Sequence, residues 1–236
     1  MIFITGDTHG DIDFTKLKIF ADKNSHLTRN DYMIIAGDFG AVWNKDTLET
    51  DLKPYTELLL TVLFVDGNHE NFDILNSLPV EEWHGGKVHK IKPNIIHLMR
   101  GQIFEIEGKT FFTFGGATSI DKLYRTEYVS WWRQELPSYA ELDEAIENLK
   151  KHNNSVDYIL THSCGERALM YPPLKNRSFQ MNCYPENHML SYFEDIVTYK
   201  HWYFGHYHMD GRLNDKMTVL YQEILQINNS FSTKKA

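Results

Sequence analysis

Five short stretches of this chain set histidine, aspartate or asparagine beside small residues. In chain order they are "GDTHG" from Gly6, "GDFG" from Gly37, "GNHE" from Gly67, "THS" from Thr161 and "FGHYH" from Phe204. They offer imidazole nitrogens (His9, His162, His206, His208), carboxylates (Asp7, Asp38) and one amide oxygen (Asn68), with no evident thiolate. That donor set suits hard or borderline divalent cations such as Mn, Fe, Zn, Ni or Co. Seven donors are too many for one tetrahedral ion. They fit two ions if one carboxylate is shared. Gly6, Gly37, Gly67 and Gly205 precede the polar residues and permit sharp turns and close backbone approach.

The elements that must position these donors can be read from hydrophobic patterning. Each stretch follows a short apolar run: Met1–Thr5, Tyr32–Ala36, Thr61–Val65, "VDYIL" and "HWYF". Helical spacing over Phe14–Asp22 and Asp46–Leu60 separates the first three runs. This alternation predicts an α/β domain with a largely parallel central sheet. In open α/β sheets, functional groups gather beyond the carboxyl ends of the strands. Five strand ends are therefore expected to converge on one spot.

Farther along, "EIEGKTFFTF" predicts a hairpin turning at Glu107-Gly108-Lys109. Ser138–His152 predicts a helix with Ser138 as N-cap and Glu141 at capping-box spacing. Asn187–Lys200 predicts another helix, and the last thirty residues suggest antiparallel strands with a polar tail. Residues 163–187 carry Pro172, Pro173 and Pro185 and read as a long loop or cap, inserted in a single domain spanning 1–236.

The chain has 236 residues, 42% of them apolar, which suits one large domain with a packed core. No apolar run approaches the roughly 18 residues that span a bilayer, so no membrane contact is expected. "MIFITGD" lacks a basic n-region, and the two cysteines, Cys164 and Cys183, argue against a disulfide framework. A cytoplasmic location is the simplest expectation. The net charge of −8 disfavours non-specific binding to phosphate backbones, although bound cations would reverse the sign at the site itself.

The order GDTHG…GDFG…GNHE…THS…GHYH, from Gly6 to His208, closely resembles the calcineurin-like metallophosphoesterases. The resemblance implies a four-layer α/β/β/α sandwich, with two mixed central sheets flanked by helices and a metal site at strand C-terminal ends. It implies that Asp7, His9 and His208 hold one metal, that Asn68, His162 and His206 hold the other, and that Asp38 bridges them. His69 would be the catalytic histidine, close to the metals without ligating them. Two divalent cations, with Mn favoured, would clamp a phosphate and lower the pKa of bound water. The expected reaction is hydrolysis of a phosphomonoester or phosphodiester by attack of a metal-bound hydroxide.

One branch of the family, the protein Ser/Thr phosphatases, carries an acid three residues after the bridging aspartate and then an arginine. Here those positions are Ala41 and Val42, so the signature of that branch is absent. Glu70 or Asp66 is the candidate acid to orient His69 instead.

Substrate choice points to "DKLYRTEYVSWWRQELPS" from Asp121, which is crowded with aromatics and holds two arginines. Arg125, Arg133 and Trp131 are the candidate substrate contacts, because aromatic faces stack on bases and arginine holds phosphate. The bland alternative has Trp131 and Trp132 packing under the next helix and the arginines in surface pairs. Arg167, Lys175 and Arg177 lie in the expected cap. A small phosphorylated substrate, a nucleotide among the options, is expected. The alternatives are a nuclease of the same family, which the acidic balance disfavours, or a non-catalytic metal-binding scaffold.

Overall fold

Side chains alternate along the buried strands, and both faces are apolar. Ile2 and Ile4 point into one cluster and Phe3 into another, and Ile34 opposes Met33 and Ile35 in the same way. A strand buried on both faces reads as a continuous apolar run, which is how "IFIT", "YMIIA" and "TVLFV" read. The computed structural model describes residues 1–175 and 182–228.

In chain order the elements are β1 (Ile2–Thr5), α1 (Thr15–Lys23), β2 (Tyr32–Ala36), α2 (Leu48–Thr56), β3 (Thr61–Val65), α3 (Phe72–Leu75), β4 (Val80–Trp83), β5 (Gly86–Lys92), β6 (Ile95–Leu98), β7 (Gln102–Ile106), β8 (Lys109–Phe114) and α4 (Tyr139–Lys151). There follow β9 (Tyr158–Thr161), α5 (Glu166–Leu169), α6 (Pro172–Lys175), α7 (Pro185–Ile196), β10 (His201–Phe204), β11 (Gly211–Asn214), β12 (Met217–Val219) and β13 (Leu225–Gln226).

The strands form two mixed sheets rather than one parallel sheet. The first has the order β13-β1-β2-β3-β6-β5-β4 and the second β11-β12-β10-β9-β8-β7. The centre of each is parallel: β1–β2–β3–β6 in the first, β8–β9–β10–β12 in the second. Antiparallel strands close the edges. Apolar runs alone could not show which sheet a strand joins, because each run is buried on both faces.

Three apolar layers hold the sandwich together. Ile4, Ile34, Leu63, Phe104, Leu160 and Tyr203 pack between the sheets. Leu17, Leu52 and Tyr55 of α1 and α2 cover the first sheet. Ala145 and Leu149 of α4, with Leu190 and Phe193 of α7, cover the second. The architecture is the four-layer α/β/β/α sandwich.

Local expectations hold at two turns. Glu107 (φ 50°) and Gly108 (φ 68°) join β7 to β8. Two successive left-handed residues match the twist of a two-residue hairpin. Ser138 Oγ accepts from Glu141 N at 3.2 Å while Glu141 Oε2 accepts from Ser138 N at 2.7 Å, closing the capping box. The helix expected over Asn187–Lys200 instead runs Pro185–Ile196. Val197 turns extended, and Thr198 N donates to Asn154 O at 2.8 Å. At the C-terminus β11 and β12 are antiparallel, but β12 joins β10 in parallel. The polar tail and Arg177 lie outside the described residues.

Candidate metal centre

Five strand ends deliver the donors. Asp7 and His9 follow β1, Asp38 follows β2, Asn68 and His69 follow β3, His162 follows β9, and His206 and His208 follow β10. The two sheets thus contribute to one place. The backbone there is under strain: His9 (φ 45°), Asp38 (φ 45°), His206 (φ 68°) and His208 (φ 46°) all adopt left-handed conformations. Non-glycine residues with φ > 0 carry a cost and cluster at functional sites.

Close approach explains two glycines. A Cβ on Gly37 (φ 91°) would lie 2.0 Å from the His162 ring, and one on Gly67 would lie 2.1 Å from Asp38 Oδ1. Any side chain at either position would displace a donor.

Asp38 is buried and faces two ways. Its Oδ2 lies 3.3 Å from His9 Nε2 and its Oδ1 lies 3.2 Å from His162 Nε2. On the His9 side, Asp7 Oδ2 lies 3.3 Å from His208 Nε2, and the His9 and His208 rings are 5.0 Å apart. Asp7, His9, Asp38 and His208 form a group that could hold a metal ion. On the other side, His162 Nε2 lies 3.2 Å from Asn68 Oδ1, and the His162 and His206 rings are 4.9 Å apart.

Neighbours fix these side chains. His162 Nδ1 donates to Ala36 O at 2.9 Å, so in the neutral ring Nε2 carries the lone pair. His9 Nδ1 meets Asp13 Oδ2 at 2.8 Å, a carboxylate–imidazole pairing that orients metal-binding histidines. Asp7 Oδ1 accepts from His206 N at 3.0 Å. Asp7 Oδ2 is buried and, among the described residues, meets no donor with hydrogen-bond geometry. Its one close nitrogen is His208 Nε2 at 3.3 Å, and a buried carboxylate oxygen so weakly satisfied costs free energy that a cation would offset.

The electrostatics agree. Burial alone would raise the Asp38 pKa, but His162 and His69 hold it well below the usual carboxylate range. Burial works against charge on His9 and His162, yet Asp38 wins and raises them to about 9 and about 10. Protons there do what a bound cation would do. His206 goes the other way: burial, with His162 beside it, pushes it down to about 3.

His69 lies beside this group, its ring 5.3 Å from that of His9, and its backbone N–H donates to Asp38 Oδ1 at 2.8 Å. Neither acid considered for orienting it does so. Glu70 is buried and accepts from Phe39 N at 2.7 Å, and Asp66 pairs with Arg100 Nη2 at 2.5 Å and His97 Nε2 at 3.2 Å. The partner of His69 is a cation: Arg125 Nη2 lies 3.2 Å from His69 Nε2. A guanidinium only donates, so His69 Nε2 accepts. Burial lowers the pKa of His69; Arg125 pushes the same way, against the pull of Asp38.

The three candidate substrate contacts separate. Arg125 lines a cavity of about 260 Å³ that opens on Asp38, Asn68, His69, His206 and His208. Arg133 does not line it; it pairs with Glu127 on the surface, its side chain 73% exposed. Trp131 lies under Lys122 Nζ, 5.9 Å from its ring centre, and does not line the cavity either. The buried tryptophan is Trp132, which donates to Asp73 Oδ2 at 2.9 Å and packs edge-on against Trp43. Arg133 thus makes a surface pair, as the bland alternative has it, while Arg125 pairs with Asp121 at 2.8 Å and also reaches the cavity.

Sequence reasoning missed several participants. Lys16 Nζ donates to Asp7 O at 2.6 Å and Gly6 O at 3.1 Å from beneath the first turn. Burial lowers its pKa to about 8, although Asp7 and Asp13 oppose this. Its sole signal was a lysine inside an amphipathic helix. Asp13 could have been found from its spacing to His9. Asn182, Tyr184 and Tyr207 also line the cavity. Arg167, from the expected cap, pairs with Asp195 instead.

A family model described as calcineurin-like phosphoesterase matches residues 1–210. The chain belongs to the calcineurin-like phosphoesterase family, whose centres are dinuclear. Among solved structures it is similar to the phosphopantetheinyl hydrolase PptH from Mycobacterium tuberculosis, at 15% identity and a TM-score of 0.44 over 93% of this chain and 87% of that one. It is also similar to the sulfate thiohydrolase SoxB from Thermus thermophilus, in complex with glycerol, at 11% identity and a TM-score of 0.45 over 94% of this chain and 51% of that one. No curated protein matches the chain by sequence. No helix among the described residues is long and apolar enough to cross a membrane.

Proposed function

We propose that this chain is a dinuclear metal-dependent phosphoesterase that hydrolyses a small phosphorylated substrate. The observation that carries this reading is the placement of Asp38, whose two oxygens lie 3.3 and 3.2 Å from imidazoles on opposite sides. Asp7, His9 and His208 would hold one divalent ion; Asn68, His162 and His206 would hold the other; Asp38 would serve both. Manganese is the first ion to try, and the mixed imidazole, carboxylate and amide set suits Fe, Zn, Ni or Co as well. The bound pair would supply an activated water and neutralise charge on the phosphoryl oxygens.

The chain's own residues do the rest. His69 stands beside Asp38 and outside both donor groups, where it protonates the departing oxygen or stabilises its charge. Arg125 occupies the other side of His69. A charge-assisted bond from guanidinium to phosphate is stronger than one to a neutral imidazole. Arg125 therefore moves from His69 to the substrate on binding; with the guanidinium gone, His69 Nε2 takes up a proton from solvent and faces the departing oxygen, to which it can return that proton. Residues 163–187 contribute Asn182 and Tyr184 to the cavity wall within a single domain.

A small substrate fits a cavity of about 260 Å³ better than a long nucleic-acid strand does. Among the described residues Arg125 is the sole lysine or arginine lining it, so support for a nuclease groove is lacking. Nucleotide specificity is the finer version of the proposal, resting on Arg125 and Tyr184.

The test strips the metals, restores Mn and compares p-nitrophenyl phosphate with bis-p-nitrophenyl phosphate. Turnover restored by Mn and lost on chelation is expected. No turnover of either ester with Mn, Zn, Ni or Co would leave the non-catalytic scaffold as the better reading. Strong preference for the diester, with cleavage of oligonucleotides, would favour the nuclease.

A further inference from the structure

A second donor cluster lies away from the strand ends. Glu166 opens α5, Cys183 precedes α7, and His188 lies in its first turns. Cys183 Sγ is 3.4 Å from Glu166 Oε1 and 3.8 Å from His188 Nε2, while His188 Nδ1 meets Glu166 Oε1. One ligand atom from each residue falls within 4.8 Å of the other two.

We propose that Glu166, Cys183 and His188 form a separate site for a thiophilic divalent cation such as Zn²⁺, with water in a fourth position. The donor set of one thiolate, one imidazole and one carboxylate suits that ion. The geometry does too. Zinc bonds of about 2.0–2.3 Å place tetrahedral donors about 3.2–3.8 Å apart. Both contacts of Cys183 already match that edge length. With Nε2 as the histidine donor, His188 Nδ1 has to release Glu166 Oε1 so that the carboxylate can turn to the ion, and those side chains are 66% and 44% exposed.

The framework carrying the donors is fixed independently. Glu166 N donates to Ser191 Oγ at 2.8 Å, which donates to Asn187 O at 2.8 Å. Asn187 Nδ2 in turn donates to Cys164 O at 2.7 Å. Burial and the neighbouring Glu166 push the Cys183 thiol up to about 11, so a thiolate forms there when a cation displaces the proton. The bound ion ties α5 to α7 at Cys183, between Asn182 and Tyr184 of the cavity wall.

The two sites differ in sulfur, which makes the test selective. The manganese-loaded full-length protein is titrated with Cd²⁺ while thiolate-to-cadmium absorption is followed in the ultraviolet. A band saturating at one Cd²⁺ per chain is expected, and Cys183→Ser should abolish it. His188→Ala and Glu166→Gln should each weaken Cd²⁺ binding at least tenfold. All three side chains are at least partly exposed, and circular dichroism checks that each variant is folded. Absence of the band, or its survival in Cys183→Ser, overturns the proposal. Unchanged affinity in both His188→Ala and Glu166→Gln also overturns it, because a lone thiol would then account for the binding.

Discussion

The floor and the rim of the cavity are built on opposite principles. On the floor, Asp7, Asp38 and His162 are buried, follow central strands, and hydrogen-bond to backbone groups or imidazoles. On the rim, Ile120 is 60% exposed and Arg125 is anchored by Asp121 at 2.8 Å and by Ser130 O, while Leu123, Tyr124 and Val129 of the same segment are 88%, 93% and 66% exposed. The floor has the rigidity that preorganised charge requires. The rim has the exposure and apolar surface expected of a region that selects what enters. Reaction type should therefore follow the floor, and substrate choice the rim.

The sharpest way to break that division is at Asp38. Asp38→Asn should lower kcat by more than about 10³-fold and reduce the bound metal per chain, read by elemental analysis. Full metal content at a near-normal rate would remove Asp38 from its shared position. His69→Ala should keep its metals and lose about 10²–10⁴ in kcat. An emptied metal position in that variant would make His69 a ligand.

Next comes the support behind the floor. Asp66, in the loop after β3, and Arg100, in the turn between β6 and β7, form a buried pair, and Arg100 Nη2 also donates to Gln134 O of the segment leading to α4 at 2.7 Å. Arg100→Ala leaves a buried carboxylate uncompensated and should cost about 3–5 kcal/mol in urea unfolding. A cost below about 1 kcal/mol would mean that this pair is not structural.

The rim is tested by contrast. Arg125→Ala should lower kcat/KM about tenfold to a hundredfold, the worth of one hydrogen bond to a charged group, with metal content intact. Arg133→Ala should change it less than about twofold, since an exposed pair is worth little. Equal effects from the two arginines would erase the distinction drawn here.

The last test concerns pH. Burial and His97 push His89 down to about 4, well below the ordinary value near 6.5. The unfolded chain therefore takes up this proton first. Its contribution is fully present above pH 6.5 and is lost as pH falls toward 4. His89→Gln should flatten the stability slope in that window by up to one proton, about 1.4 kcal/mol per pH unit. An unchanged slope would assign the acid sensitivity elsewhere.

Strand ends and donors were legible because a buried strand needs an unbroken apolar run, and glycine must stand where a backbone or side chain passes within contact distance. "HWYF" is β10 residue for residue, and "GNHE" carries the glycine that clears Asp38. Both are local constraints, written in adjacent residues. The partners of the donors are not local. Lys16 under Asp7, Arg125 on His69 and Arg100 on Asp66 join residues 9, 56 and 34 positions apart. Spacing carries no trace of such pairs.

What the sequence determined by itself is which residues can bind cations and the order in which strands bring them forward, since residue chemistry and period-two burial act locally. What the tertiary structure decided is the second sheet, the guanidinium at His69 in place of an acid, and the exile of Arg133 and Trp131 from the cavity. Each of these depends on how two apolar sheets stack and where the loops between them come to rest, a matter of packing that no single stretch of chain encodes.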